Sequence, residues 1–402
     1  MAESWALAAA LNDVLIRQFQ KALDLSRTQS SLIQLAFYLG YFCAGVPAGL
    51  LIRRFGYKAT ILAGLALYAL GAFLFVPAAD VRVYGLFLAA LYIIAFGLAF
   101  LETASNPYVS ILGAPETAAA RLNLAQGFYG IGAILGPIIG GLFIFSGVEH
   151  RKAELAEMAP AALDAYRAHE AAAVKGPYLA IGLCVCLLAL VIARTAFPTI
   201  ERPLAERGER RNYFAVLRHP RLLWAVVAQF FYVGAQVSVW SFFIDFSKAQ
   251  APDLSEKTIA FLLSASLGML MIGRFTGAYL QRVVAPARLL LLYAVINVAL
   301  CIVAATASGL VAVAALWLTS FFMSIIFPTI FALGVAGLGE ETENGSSFLI
   351  MSVIGGALIP PAMGLVSDAI GGIHHVMAAP ALCFAVVAVF ALAAGRPTVT
   401  RA

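Results

Sequence analysis

Glu102 is the only charged residue between Gly85 and Leu112, in the run GLFLAALYIIAFGLAFLETASNPYVSIL. An apolar run of that length predicts a membrane-spanning helix. A carboxylate inside such a helix costs about 2.5–3.5 kcal/mol on the insertion scale, so one that persists is expected to do chemistry. Withdrawal from water favours the protonated form of a carboxyl, which suits a group that loads and releases a proton. Asn106 shares the face of Glu102, and Pro107 just beyond it loosens the helix. Asp13 is the second acid in an apolar segment, and Arg17 follows four residues later in the favourable acid-first order. That spacing fits either a plain ion pair near the membrane surface or a working acid.

Neutral polar residues recur on helical faces. Gln229, Tyr232, Gln236 and Trp240 are spaced at helical intervals and fall on one stripe. Gln34, Tyr38 and Tyr41 form a second stripe, and Asn123 with Gln126 a third. Amides offer paired donors and acceptors, and aromatic rings stack on the C–H faces of sugars. Together the stripes predict a polar central cavity rather than isolated bonds between helices. No GxxxxGK[ST] phosphate loop and no metal-spaced cluster occurs. The sequence therefore predicts no enzyme, no catalytic residue, no metal site and no cofactor.

The elements that must hold these residues are long apolar helices. The chain has 402 residues, 62% hydrophobic and only 12% charged, against about 25% charged in soluble proteins. Twelve spans are expected, at 5–20, 29–52, 59–79, 83–112, 121–145, 177–198, 220–247, 257–284, 286–307, 309–339, 344–370 and 372–395. The first is too short for a full crossing. Residues 147–176, rich in alanine and mixed charge, predict a short surface helix. The basic stretch 199–219 divides the chain into a bundle at 1–198 and another at 220–402, the arrangement of carriers built from two repeats. Gly49 precedes Arg54 by five positions, as Gly277 precedes Arg282, and these glycines predict close helix approach.

Alternating the spans puts sixteen Lys and Arg on the side of the termini, Arg274 among them, and ten on the other. This predicts cytoplasmic termini and a cytoplasmic 199–219 linker in a multi-pass protein of the cell's inner membrane. The net charge of +5 is then topological, and no nucleic-acid partner is expected.

The stretches LNDVLIRQFQ (11–20), SLIQLAFYLGYF (31–42), LETASNPYVSILG (101–113), RLNLAQ (121–126), AQFFYVGAQVSVWS (228–241), IGRFTG (272–277), FPTIFALG (327–334) and GSSFLIMSVIGG (345–356) resemble the fucose permease branch of the major facilitator superfamily. The resemblance implies an all-α membrane protein of twelve helices in two six-helix bundles. It implies import of a monosaccharide, fucose or a related hexose, with a proton by alternating access. Its partners would be the sugar, protons and the lipid bilayer, and its expected state is a monomer. It further implies that Glu102 couples the proton, that Asp13 assists substrate or coupling, and that Gln126 lines the sugar site. The chain departs from that branch at Ala10 and Tyr129, where asparagine stands, at Ile326-Phe327, where a Gln-Tyr pair stands, and at Arg17, where proline stands. The cavity is correspondingly less polar. Two other readings are open: a proton-coupled efflux antiporter, on the pattern Gly132-x-x-x-Gly136-Pro137, and a non-transporting sugar sensor.

Overall fold

A computed structural model describes residues 27–127, 154, 157–198, 213–370 and 372–395. Asp13, Arg17, the first expected span, most of the fifth with Gly132, Gly136 and Pro137, and residues 199–212 of the linker lie outside the described residues. Among the described residues the ordered elements are all helical.

Helix α1 (Arg27–Val81) joins expected spans two and three through Gly56, whose φ of 83° favours a residue without a side chain. Then come α2 (Tyr84–Ile111), α3 (Ala118–Gly127), the surface helix α4 (Pro160–Ala172) and α5 (Lys175–Arg194). The second half holds α6 (Pro220–Gln250), α7 (Glu256–Leu280) and α8 (Pro286–Thr306). Span ten is broken into α9 (Gly309–Met323) and α10 (Ile326–Val335), and span eleven into α11 (Thr342–Met351) and α12 (Gly355–Ile370). Helix α13 (Ala378–Ala394) closes the series. The starts are written in the sequence: Pro220 and Pro286 sit in first turns, where a missing N–H costs nothing, and the Ser255 side chain caps α7 by accepting from Thr258 N.

The side-chain distribution is that of a protein in lipid. Tyr41, Tyr68, Tyr232 and several phenylalanines are fully buried, whereas Leu187, Leu365 and Leu382 are each more than 60% exposed. Apolar side chains on the outside have a favourable solvent only if that solvent is hydrocarbon.

Contacts separate the two ends of the helices. At one end, which we call the linker end, Lys58 Nζ donates to Ala193 O (2.8 Å) and Thr195 O (2.9 Å), neutralising the last carbonyls of α5. There too the His219 ring lies 2.8 Å from the Glu341 carboxylate. At the far end Arg82 pairs with Asp164 at 2.6 Å, Lys175 pairs with Asp80, and His374 Nε2 lies 2.7 Å from Ala307 O. These pairings require neighbouring long helices to run in opposite directions, as successive crossings must.

Candidate functional site

Helix α2 carries Glu102 nine residues before its end, and its own termination positions the side chain. The carbonyls of Val109 and Ser110 in its last turn accept from Arg121 Nε (3.2 Å) and Nη2 (2.7 Å). Arg121 also donates to Ala114 O (2.8 Å) and to the Thr117 hydroxyl. One guanidinium thus gathers the connection between α2 and α3, a task that its fork of donors suits. The result brings Gln126 of α3 to Asn106 of α2: Gln126 Nε2 donates to Asn106 Oδ1 at 3.3 Å.

Glu102 is partly buried, and Tyr41 OH of α1 donates to its Oε1 at 3.4 Å. A buried cation completes the site. Arg274 of α7, only 4% exposed, donates from Nη1 to Gln126 O (2.6 Å) and from Nε to Ser324 O (3.2 Å). The break in span ten makes the second bond available. Ser324 and Ile325 leave the helix, freeing carbonyls that a continuous helix would use, and Tyr232 OH donates to the neighbouring Met323 O at 2.9 Å. Tyr41 with Glu102, and Asn106 with Gln126 and Arg274, therefore form two hydrogen-bonded sets one helical turn apart on α2, and the second crosses between the halves of the chain.

The other expected site residues divide. Tyr38 is mostly buried and packs on Gly356 at the break in span eleven, where a Cβ would come within 2.8 Å of its ring. Gln34 is partly exposed on the same stripe. Gln236 is 8% exposed, and its amide makes no hydrogen bond among the described residues. Trp240 is partly exposed, with Nε1 donating to Ser320 Oγ at 3.1 Å. Tyr232 and Gln229, on the same stripe, are fully buried; the phenol of Tyr232 holds the span-ten break, and both amide atoms of Gln229 are without a hydrogen-bond partner among the described residues. Asn123 is also fully buried and donates to Ala119 O (2.9 Å), Gln281 Oε1 (2.9 Å) and Thr329 Oγ1 (3.3 Å), away from Glu102.

Residues 3–360 match the Major Facilitator Superfamily. The chain belongs to that superfamily. It is 46% identical to the L-fucose-proton symporter of Escherichia coli (strain K12) over 394 residues, 96% of this chain and 90% of that protein. It is 37% identical to a glucose/galactose transporter of Brucella abortus, over 96% of this chain and 90% of that one. A crystal structure of the superfamily transporter FucP in the outward conformation superposes with a TM-score of 0.90 at 44% identity, covering 98% of this chain and 97% of that chain. Major facilitator membership accounts for the all-helical fold and makes the protein a multi-pass membrane transporter rather than an enzyme.

Within that fold, Arg274 is the functional residue that sequence reasoning missed. Its place among the charges at span ends does not hold: it is buried six residues from the end of α7, leaving fifteen basic residues on its side against ten. Its signal was present: it is the only charge from Thr258 to Gln281, the same evidence that singles out Glu102. Gln281 and Thr329 carried no comparable signal, because a lone amide at a helix end and a lone hydroxyl in an apolar run are common.

Proposed function

We propose that the protein imports a monosaccharide together with a proton by alternating access, with Glu102 as the proton carrier. The observation that carries this reading is the placement of Glu102. A lone carboxyl in an otherwise apolar helix faces a tyrosine hydroxyl and lies one turn before Asn106, which belongs to a cluster that crosses between the halves. A group so placed can exchange a proton while its surroundings alternate between the two sides. The relatives support the cargo: those named above are an L-fucose-proton symporter and a glucose/galactose transporter.

In this reading Gln34, Tyr38, Asn106, Gln126, Gln236 and Trp240 bind sugar hydroxyls and ring faces, and Asp13 assists. Asn123, Gln229 and Tyr232 serve structure, since their side chains are fully buried. The two bundles are 1–198 and 220–402, joined by a cytoplasmic 199–219 linker, and the chain works as a monomer in the inner membrane with both termini cytoplasmic. The linker end is then the cytoplasmic end. The excess of Lys and Arg there supports that orientation.

The test is uptake into proteoliposomes of a panel of radiolabelled hexoses and 6-deoxyhexoses, with and without an inward proton gradient. One member of the panel should accumulate above its outside concentration only when the gradient is applied. Uptake that merely equilibrates, whatever the gradient, would refute proton coupling.

A further inference from the structure

Asn123, Gln281 and Thr329 form a side-chain triad between the halves of the chain. Asn123 Nδ2 donates to Gln281 Oε1 (2.9 Å) and to Thr329 Oγ1 (3.3 Å), and Gln281 Nε2 donates to Thr329 Oγ1 (2.7 Å). The three residues are 0%, 4% and 0% exposed. Asn123 belongs to the first half, and the other two to the second. At about 1.5 Å per helical residue, Asn123 lies roughly 8 Å from the start of α3 and Thr329 roughly 9 Å from the end of α10. The triad therefore forms a layer just inside the linker end.

A second seam lies at the same depth. On α1, Gly45 and Gly49 face Ser347 and Met351 of α11 so closely that a Cβ at either position would collide. Ser347 lies roughly 8 Å from the start of α11. Small residues allow this approach, but they contribute no directional bond that would hold it. The triad supplies the direction. Its hold is also limited. Nδ2 of Asn123 has two hydrogens for three acceptors, counting Ala119 O, and among the described residues Asn123 Oδ1 is buried without a partner. A bridge with one unsatisfied buried acceptor is weaker than its bond count suggests. That is a useful property for a contact that must break in every cycle.

We propose that Asn123, Gln281 and Thr329 are the latch of the gate at the linker end: their hydrogen bonds hold the halves closed there, and opening toward that side requires breaking them. The triad itself contains no titratable group. The proposal rests on the alternating-access reading but not on the identity of the cargo.

The test uses Ser347→Cys as a reporter in the full chain, with Cys43, Cys184, Cys186, Cys301 and Cys383 replaced. The labelling rate by a water-soluble maleimide is measured on purified protein in detergent, with no sugar present. Ser347 is fully buried in the other seam, so its labelling reports opening of the gate as a whole. Asn123→Ala and Thr329→Val should each raise the rate roughly tenfold, the effect of losing about one net hydrogen bond. Thr329→Ser keeps the hydroxyl and should label as the parent does. An unchanged rate in both Asn123→Ala and Thr329→Val, with normal gel-filtration profiles, would overturn the proposal. So would equal acceleration by Thr329→Ser, which would assign the effect to packing. If Asn123→Ala does not fold, the near-isosteric Thr329→Val decides alone. The assay needs neither sugar nor gradient, so it stands whether or not uptake is observed.

Discussion

Glu102→Gln separates the proton-carrying role of Glu102 from every structural role it could have. The amide is nearly isosteric with the protonated acid and keeps an oxygen to accept from Tyr41 OH, which lies 3.4 Å away in the parent. It also introduces no charge, so the insertion cost of about 2.5–3.5 kcal/mol for an ionised acid does not arise. The variant should therefore fold and be at least as stable as the parent. Coupling is another matter, because an amide has no proton to release. With one proton per sugar, a gradient of one pH unit supplies about 1.4 kcal/mol, enough for about tenfold accumulation. The parent should approach that ratio in proteoliposomes, and Glu102→Gln should stop at equal concentrations inside and out. Counterflow, in which labelled sugar exchanges for unlabelled sugar without net proton movement, should persist in the variant. Gradient-driven accumulation at the parental level in Glu102→Gln would remove Glu102 from the coupling mechanism. Loss of counterflow as well would show that the carboxylate is needed for the sugar step.

Three further outcomes are expected. Gln236→Ala should weaken sugar binding by about 1–3 kcal/mol, whereas Val237→Ala, about 100° around α6, should change it less; equal losses in calorimetric affinity would point to packing. Arg121→Met leaves Val109 O, Ser110 O and Ala114 O without their donor and should destabilise the protein by about 2 kcal/mol, read as a lower thermal midpoint. The Arg82 guanidinium holds the Asp164 carboxyl below its ordinary range, first through the hydrogen bond and then through charge. A carboxyl depressed in the folded state contributes stability above its unfolded pKa and loses it as pH falls through the folded value. Any deficit in the melting temperature of Asp164→Asn should thus be present at neutral pH, shrink on acidification below about pH 4, and be reduced by salt because the pair is exposed.

The spans were legible because hydrocarbon imposes one strong constraint on a long helix. The expected 83–112, 220–247 and 286–307 correspond to Tyr84–Ile111, Pro220–Gln250 and Pro286–Thr306, the last two starting at a proline. The breaks inside spans ten and eleven are absent from the expected spans, although local signals mark them: Pro328 has no N–H to give to Ser324 O four residues back, and Gly355-Gly356 follow the break in span eleven. What the sequence could not show is which tertiary donors, Tyr232 and Arg274, take the freed carbonyls. Local sequence cannot report a bond whose partner is some fifty or ninety residues away.

The same distinction runs through the polar residues. Glu102 and Asn106 could be read together because a helix fixes their spacing, and the structure adds Gln126 and Tyr41 to them. Helical spacing also grouped Gln229, Tyr232, Gln236 and Trp240, but a shared stripe says only that side chains point the same way. It does not say what lies opposite at each level. On α6 the stripe runs from fully buried Gln229 and Tyr232, packed inside the second half, to partly exposed Trp240 further along. Asn123 and Gln126 likewise sit one turn apart on α3, yet one joins a bridge to Gln281 and Thr329 and the other joins Asn106 near the acid. Depth along the helix separates their roles. Asn123, roughly 8 Å from the start of α3, meets Gln281 and Thr329 of the opposing half, whereas Gln126, the next turn inward, meets Asn106 on the acid's helix and the buried Arg274. Periodicity gives the angle around a helix. The level at which another element crosses decides whether an amide there binds cargo or closes a gate.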